Sequence, residues 1–121
     1  MDYLENTSNE MRECIENCIE CHNMCTGTIA HLLKLDRKQE ERANYKLLLD
    51  CAQLCAACAD FMLRSSEFQA SVCKLCAEIC RKCQQLCEAI GKTDPIARNC
   101  ASSCKKCAES CVRMGSATAA A

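Results

Sequence analysis

The chemistry of this chain lies in its thiols. Sixteen of the 121 residues are cysteine, and they fall into four groups: Cys14, Cys18, Cys21 and Cys25; Cys51, Cys55 and Cys58; Cys73, Cys76, Cys80, Cys83 and Cys87; and Cys100, Cys104, Cys107 and Cys111. Every gap within a group is three or four residues, in strict alternation. That spacing marks the a/d positions of a helical heptad, which face the interior of a bundle. Residues so placed have Cβ atoms about 5–6 Å apart, so two sulfurs can converge on one soft cation. The pattern therefore predicts four helices whose thiols all point inward.

Three kinds of chemistry suit such a seam. Cysteine as a mere core filler is a weak choice, because it buries far less apolar area than leucine. Disulfides across the seam need an oxidising compartment, and nothing in the sequence points to one. Thiolate metal binding remains, and thiolates select Cu(I) and Zn. Charge separates these two ions. A Zn²⁺ ion held by four thiolates keeps a net charge of −2, and no basic residue lies on the seam to balance several such sites. Cu(I) with one thiolate per ion leaves a neutral core. If each ion takes two sulfurs and each sulfur bridges two ions, capacity is about one Cu(I) per cysteine, or on the order of 16 per chain. Iron–sulfur ligand runs sit in loops and fit less well. A metallochaperone of low stoichiometry, a zinc or other soft-metal thiolate protein, and a disulfide-stapled redox bundle stand as alternatives.

The elements that must position these thiols can be read from their ends. Thr7 with Glu10, Asp36 with Gln39 and Ser66 with Gln69 have the spacing of capping boxes. Asp94 followed by Pro95 reads as an N-cap with proline at the first helical position. Gly91 and Gly115 stand where left-handed C-terminal caps belong. The expected helices are 8–35, 37–64, 67–90 and 95–114, in one all-α domain over residues 1–121, with 116–121 as a flexible tail. Short connections imply an antiparallel up-down-up-down four-helix bundle.

Composition narrows the function classes. One Pro and three Gly argue against an all-β fold or a loop-rich disulfide knot. Fifteen basic and sixteen acidic residues nearly cancel, which gives no electrostatic case for nucleic acid. No apolar run is long enough to span a membrane. The acidic, polar N-terminus lacks the pattern of a secretory signal, so a cytoplasmic protein is expected. No catalytic constellation stands out, and an enzyme is not expected.

Beyond the cysteines, the heptad continues to Met11 on the first helix, Met62 on the second and Met114 on the fourth. In an antiparallel bundle these three share one end, where soft neutral thioethers either ring a mouth through which Cu(I) reaches the thiolates or plug a loose bundle end as gap-fillers. The opposite end carries Leu32, Leu35, Leu48, Ile90 and Ala97. His22 and His31 lie off the seam and are expected to pack between helices or on the surface rather than bind metal. Ile15, Ile19, Ile29 and Leu33, with Leu75, Ile79, Leu86 and Ile90, form flanking stripes that complete the core or serve a subunit interface.

The repeated steps Cys14-x₃-Cys18-x₂-Cys21-x₃-Cys25 and Cys100-x₃-Cys104-x₂-Cys107-x₃-Cys111, matched on all four helices, make the chain resemble the cytosolic branch of the bacterial copper storage proteins over residues 8–114. The resemblance implies a four-helix bundle whose interior thiolates hold many Cu(I) ions, a homotetrameric assembly, and folding without metal. One departure is visible: the second helix carries three cysteines, with Leu48 and Asn44 on its seam.

Overall fold

The computed structural model describes residues 8–35 and 42–116. Four helices follow in order: α1 (Asn9–Lys34), α2 (Arg42–Leu63), α3 (Gln69–Ile90) and α4 (Pro95–Ser116). Each packs on its two neighbours in a closed ring, α1 on α2, α2 on α3, α3 on α4 and α4 on α1. At 1.5 Å per residue the helices are roughly 33–39 Å long. The start of α1 lies beside the end of α4, with Cys14 Sγ 3.7 Å from Cys111 Sγ. The end of α2 lies beside the start of α3, with Cys58 Sγ 3.5 Å from Cys73 Sγ. The bundle is thus antiparallel, as the short connections imply.

The helix ends depart from the expected caps in informative ways. Ser8, not Thr7, caps α1: its hydroxyl accepts from the Met11 amide at 3.1 Å. Thr7 lies outside the described residues, as do Asp36, Gln39 and the expected start of the second helix. Ser66 does not cap α3. Its hydroxyl accepts from the Phe68 amide at 3.0 Å, which closes a local turn, and the helix begins at Gln69. Asp94 does cap α4, accepting from the amides of Ile96 at 2.9 Å and Ala97 at 3.2 Å.

The glycines are used differently from the expected left-handed caps. Gly91 is right-handed, with φ −67° and ψ −9°. A side chain there would meet the Cys87 carbonyl at 2.8 Å and Arg98 Cα at 3.0 Å. The glycine lets the α3–α4 turn close, and the Arg98 guanidinium then donates to the Gly91 carbonyl at 2.8 and 3.0 Å. Gly115 lies within α4, where a Cβ would stand 2.7 Å from Lys74 Cγ and 3.2 Å from the Lys74 amide nitrogen on α3. Among the described residues the left-handed one is Ser65, at φ 52°. The Ser66 amide donates to the Phe61 carbonyl and the Ser65 amide to the Met62 carbonyl, the bond pair of a Schellman motif with Ser65 in the place glycine usually takes. Ser116 is helical, so the expected tail loses its first residue to α4, and residues 117–121 lie outside the described residues.

Alanine supplies the close contacts between helices. Ala52, Ala59, Ala77, Ala101 and Ala108 are all buried beside the thiols. Of the flanking stripes, Ile15 is buried and Ile29, Ile79, Leu86 and Ile90 are half-buried, whereas Ile19, Leu33 and Leu75 are exposed.

Candidate metal centre

All sixteen cysteines are free thiols with no solvent-exposed surface. The antiparallel ring stacks them in layers, one residue from each helix. Cys14, Cys58, Cys73 and Cys111 form the first layer, Cys18, Cys55, Cys76 and Cys107 the second, and Cys21, Cys51, Cys80 and Cys104 the third. Sulfurs within these layers lie close: Cys18–Cys107 3.6 Å, Cys55–Cys76 3.8 Å, Cys51–Cys80 3.8 Å and Cys21–Cys104 3.8 Å. The fourth layer has three thiols and a leucine. Cys25 is 3.8 Å from Cys100 and 3.9 Å from Cys83, and buried Leu48 fills the α2 position. The heptad carries a fifth layer of Thr28, Asn44, Cys87 and Ala97.

Layers also join along the axis. Cys18 Sγ is 3.7 Å from Cys111 Sγ, and Cys55 Sγ is 3.6 Å from Cys80 Sγ. Four sets of four sulfurs have every member within 4.8 Å of the others: Cys18, Cys58, Cys76 and Cys111; Cys21, Cys25, Cys51 and Cys104; Cys21, Cys51, Cys55 and Cys80; and Cys55, Cys76, Cys80 and Cys107. Cys14, Cys73 and Cys111 form a further triad. Several thiols belong to two sets, so the core is a continuous column in which a sulfur can bridge ions above and below it. A metal–sulfur bond of about 2.3 Å fits such spacings for tetrahedral or lower coordination alike, so distance alone does not choose the ion.

A family model described as copper storage protein matches residues 7–116. The chain belongs to the copper storage protein family. Solved structures of similar proteins agree. A protein from Nitrosospira multiformis is 33% identical, with 90% of this chain covering 97% of that one at a TM-score of 0.81. The copper storage protein BsCsp3, solved with Cu(I) bound, is 32% identical over 89% of this chain and 100% of its own, at a TM-score of 0.80. A cytosolic copper storage protein from Streptomyces lividans, solved with five coppers, is 25% identical over 90% and 94% of the two chains, at a TM-score of 0.78. No curated protein matches the chain.

Within this family member the thiols modify one another. A hydrogen bond between two thiols favours thiolate on the acceptor and thiol on the donor. The Cys58 thiol is drawn down to about 6 by Cys111, Cys18 and Cys73. Cys83 is drawn down to about 7, first by Cys104 and then by Cys25. Cys104 is pushed up, first by Cys100 and Cys21, with burial adding to the shift. The thiols are thus unequal: those whose sulfur accepts hydrogen bonds from neighbouring thiols give up their protons to a soft cation most readily. Among the described residues the buried polar or charged side chains are Thr28, Asp94 and Ser110. No lysine or arginine is among them; half-buried Arg12, next to Met11, has its guanidinium Nε shielded from solvent.

The structure brings Met11, Met62 and Met114 to the same end, each buried against the first thiol layer. The fourth position of the methionine layer is Gln69, four residues before Cys73 on α3. Its side-chain carbonyl oxygen is buried and without a hydrogen-bond partner. At the other end Leu32, Leu48 and Ala97 are buried, and Ile90 is half-buried. Leu35, expected there too, is instead the exposed C-cap of α1. Both histidines join helices: His22 Nδ1–H donates to the Ala52 carbonyl at 2.8 Å, and His31 Nε2 meets Asp94 Oδ2 at 2.7 Å.

Two further seam residues lie beyond the expected ligands: Gln69, whose spacing from Ser66 is that of a capping box, and Thr28. Carrying the three–four alternation one step before Cys73 and one step past Cys25 reaches both.

Proposed function

We propose that this chain is a high-capacity Cu(I) store whose sixteen cysteines are the ligands. The observation that carries this reading is a column of reduced, fully buried thiols with no lysine or arginine among the buried side chains of the described residues. One Cu(I) per thiolate leaves that column neutral. Each ion displaces one thiol proton to solvent, so every site converts S–H to S–Cu without a net charge in the core. The Cu(I)-bound relative BsCsp3 supports the choice of ion, and the cytosolic relative from Streptomyces lividans supports a cytoplasmic setting.

Met11, Met62 and Met114, with Gln69 beside them, form the mouth in this reading. Thioethers hold Cu(I) less tightly than thiolates do, so an ion captured there passes inward. The chain forms a homotetramer through apolar side chains left on the surface, of which Ile19, Leu33 and Leu75 are examples.

Anaerobic titration with Cu(I), followed by metal and pH-stat analysis, tests the reading. On the order of 16 ions per chain and about one proton released per ion are expected. Saturation at one or two ions would instead identify a metallochaperone.

A further inference from the structure

Thr28 stands at the thinned end of the thiol column, one heptad step past Cys25. Its side chain is fully buried, and its hydroxyl has no hydrogen-bond partner. A helical threonine or serine has an easy alternative, the carbonyl of the preceding turn. Ser110, the buried hydroxyl near the other end, takes it: its Oγ donates toward the carbonyls of Lys106 at 3.2 Å and Cys107 at 3.1 Å, and accepts from Asn17 Nδ2 at 3.2 Å. Thr28 leaves that option unused. A buried hydroxyl left idle destabilises the metal-free fold.

The surroundings say when the hydroxyl is used. The fourth and fifth layers hold only Cys25, Cys83, Cys100 and Cys87 as thiols, closed off by Leu32, Leu48 and Ala97. A thiolate inside the column bridges ions on both sides and is neutralised by them. A thiolate in the last layers has ions on one side only and keeps part of its charge, where the seam offers Thr28 and half-buried Asn44 and, among the described residues, no buried lysine or arginine. Such a charge needs a hydrogen-bond donor. Cys100 stands on the neighbouring helix α4 in the layer beside Thr28, its sulfur 3.8 Å from Cys25 Sγ.

We infer that Thr28 is a thiolate hydrogen-bond donor that completes an end site for Cu(I), held by Cys100 and Cys87 with Cys25 and Cys83 behind them. The inference rests on the Cu(I)-storage reading. The hydroxyl oxygen is too hard a base to be the ligand for Cu(I). As the ion binds, the Cys100 proton leaves to solvent, the S–Cu bond forms, and the Thr28 O–H turns to the remaining sulfur lone pair. No electron is transferred.

Thr28→Val and Thr28→Ser separate this role from simple packing, because the two states of the protein should respond in opposite directions. Without metal, Thr28→Val removes an idle polar group, and its melting temperature should rise by about 3–6 °C in reductant. Loaded with Cu(I) and titrated with the chelator bicinchoninate, Thr28→Val should surrender about one ion per chain at roughly tenfold lower chelator concentration than wild type. Thr28→Ser should follow wild type in the chelator titration. A Thr28→Val release curve that overlays wild type overturns the inference, as does a metal-free Thr28→Val that melts below wild type. Wild type saturating at one or two ions takes down the storage reading and this inference together, a result distinct from either of those.

Discussion

The two ends of the thiol column are built on the same heptad but filled differently. Toward the start of α1, three complete layers of thiols run up to Met11, Met62, Gln69 and Met114. Toward the end of α1, the column thins to Cys25, Cys83 and Cys100, then to Cys87, and closes on Leu32 and Ala97. The fastenings also differ. The thinned end is clasped by His31 on Asp94 and by Arg98 on the Gly91 carbonyl. The other end relies on Asn17 reaching Ser110 across α1 and α4, and its α2–α3 turn holds a serine in a left-handed conformation. The contrast teaches that one repeat can serve two purposes. Where every seam position is a thiol the bundle stacks sulfurs as close as 3.6 and 3.8 Å, and where aliphatic side chains and hydrogen-bonded caps replace thiols it is held shut.

The largest break in this contrast comes from removing a full layer. Replacing Cys18, Cys55, Cys76 and Cys107 by Ala should cost about four of roughly 16 bound Cu(I), whereas Cys87→Ala should cost about one. Metal analysis after anaerobic loading, with circular dichroism to confirm helicity, measures both. Equal losses from the two variants would erase the distinction between the ends.

Converting the mouth to the chemistry of the closed end sharpens the contrast next. Met11, Met62 and Met114 replaced together by Leu keep volume and apolarity but lose the thioethers. Stopped-flow uptake of Cu(I) should slow several-fold while final capacity stays the same. Unchanged uptake would leave the methionines as packing alone.

The clasp at the thinned end is a smaller contribution and depends on pH. Burial acts to raise the Asp94 carboxyl, but the hydrogen bonds from His31, Ala97 and Ile96 prevail and hold it below its usual value. A lowered folded pKa stabilises the fold above the unfolded carboxylate range and loses that contribution as pH falls through the folded value. Asp94→Asn should therefore melt lower near neutral pH, by about 1 kcal/mol of stability. The gap from wild type should close as pH is lowered into and below the carboxylate range. A constant gap between pH 6 and 3 would remove Asp94 as its source.

The smallest expected effect tests the other end. Ser65→Gly relieves a left-handed residue and should stabilise the chain by about 0.5–1 kcal/mol in urea unfolding. No gain would show that Ser65 is supported by contacts beyond its backbone.

The sequence by itself determined which face of each helix is buried, because the three–four alternation of the cysteines is a local property of helical phase. It also determined the Asp94–Pro95 start of α4, where the cap is made within four residues, and the ends of the seam at Met11, Met62 and Met114. Tertiary structure decided what depends on the register between helices. It paired Cys25 with Cys100 and left Leu48 in a thiol's place in that layer. It brought α3 and α4 close enough to require Gly91 and Gly115, although neither has the left-handed conformation their positions suggested. It also put Gln69 beside the methionines and buried the Thr28 hydroxyl at the aliphatic end. Phase is written in the spacing along one helix. Register and closeness come from four surfaces packing at once, and no single segment carries them.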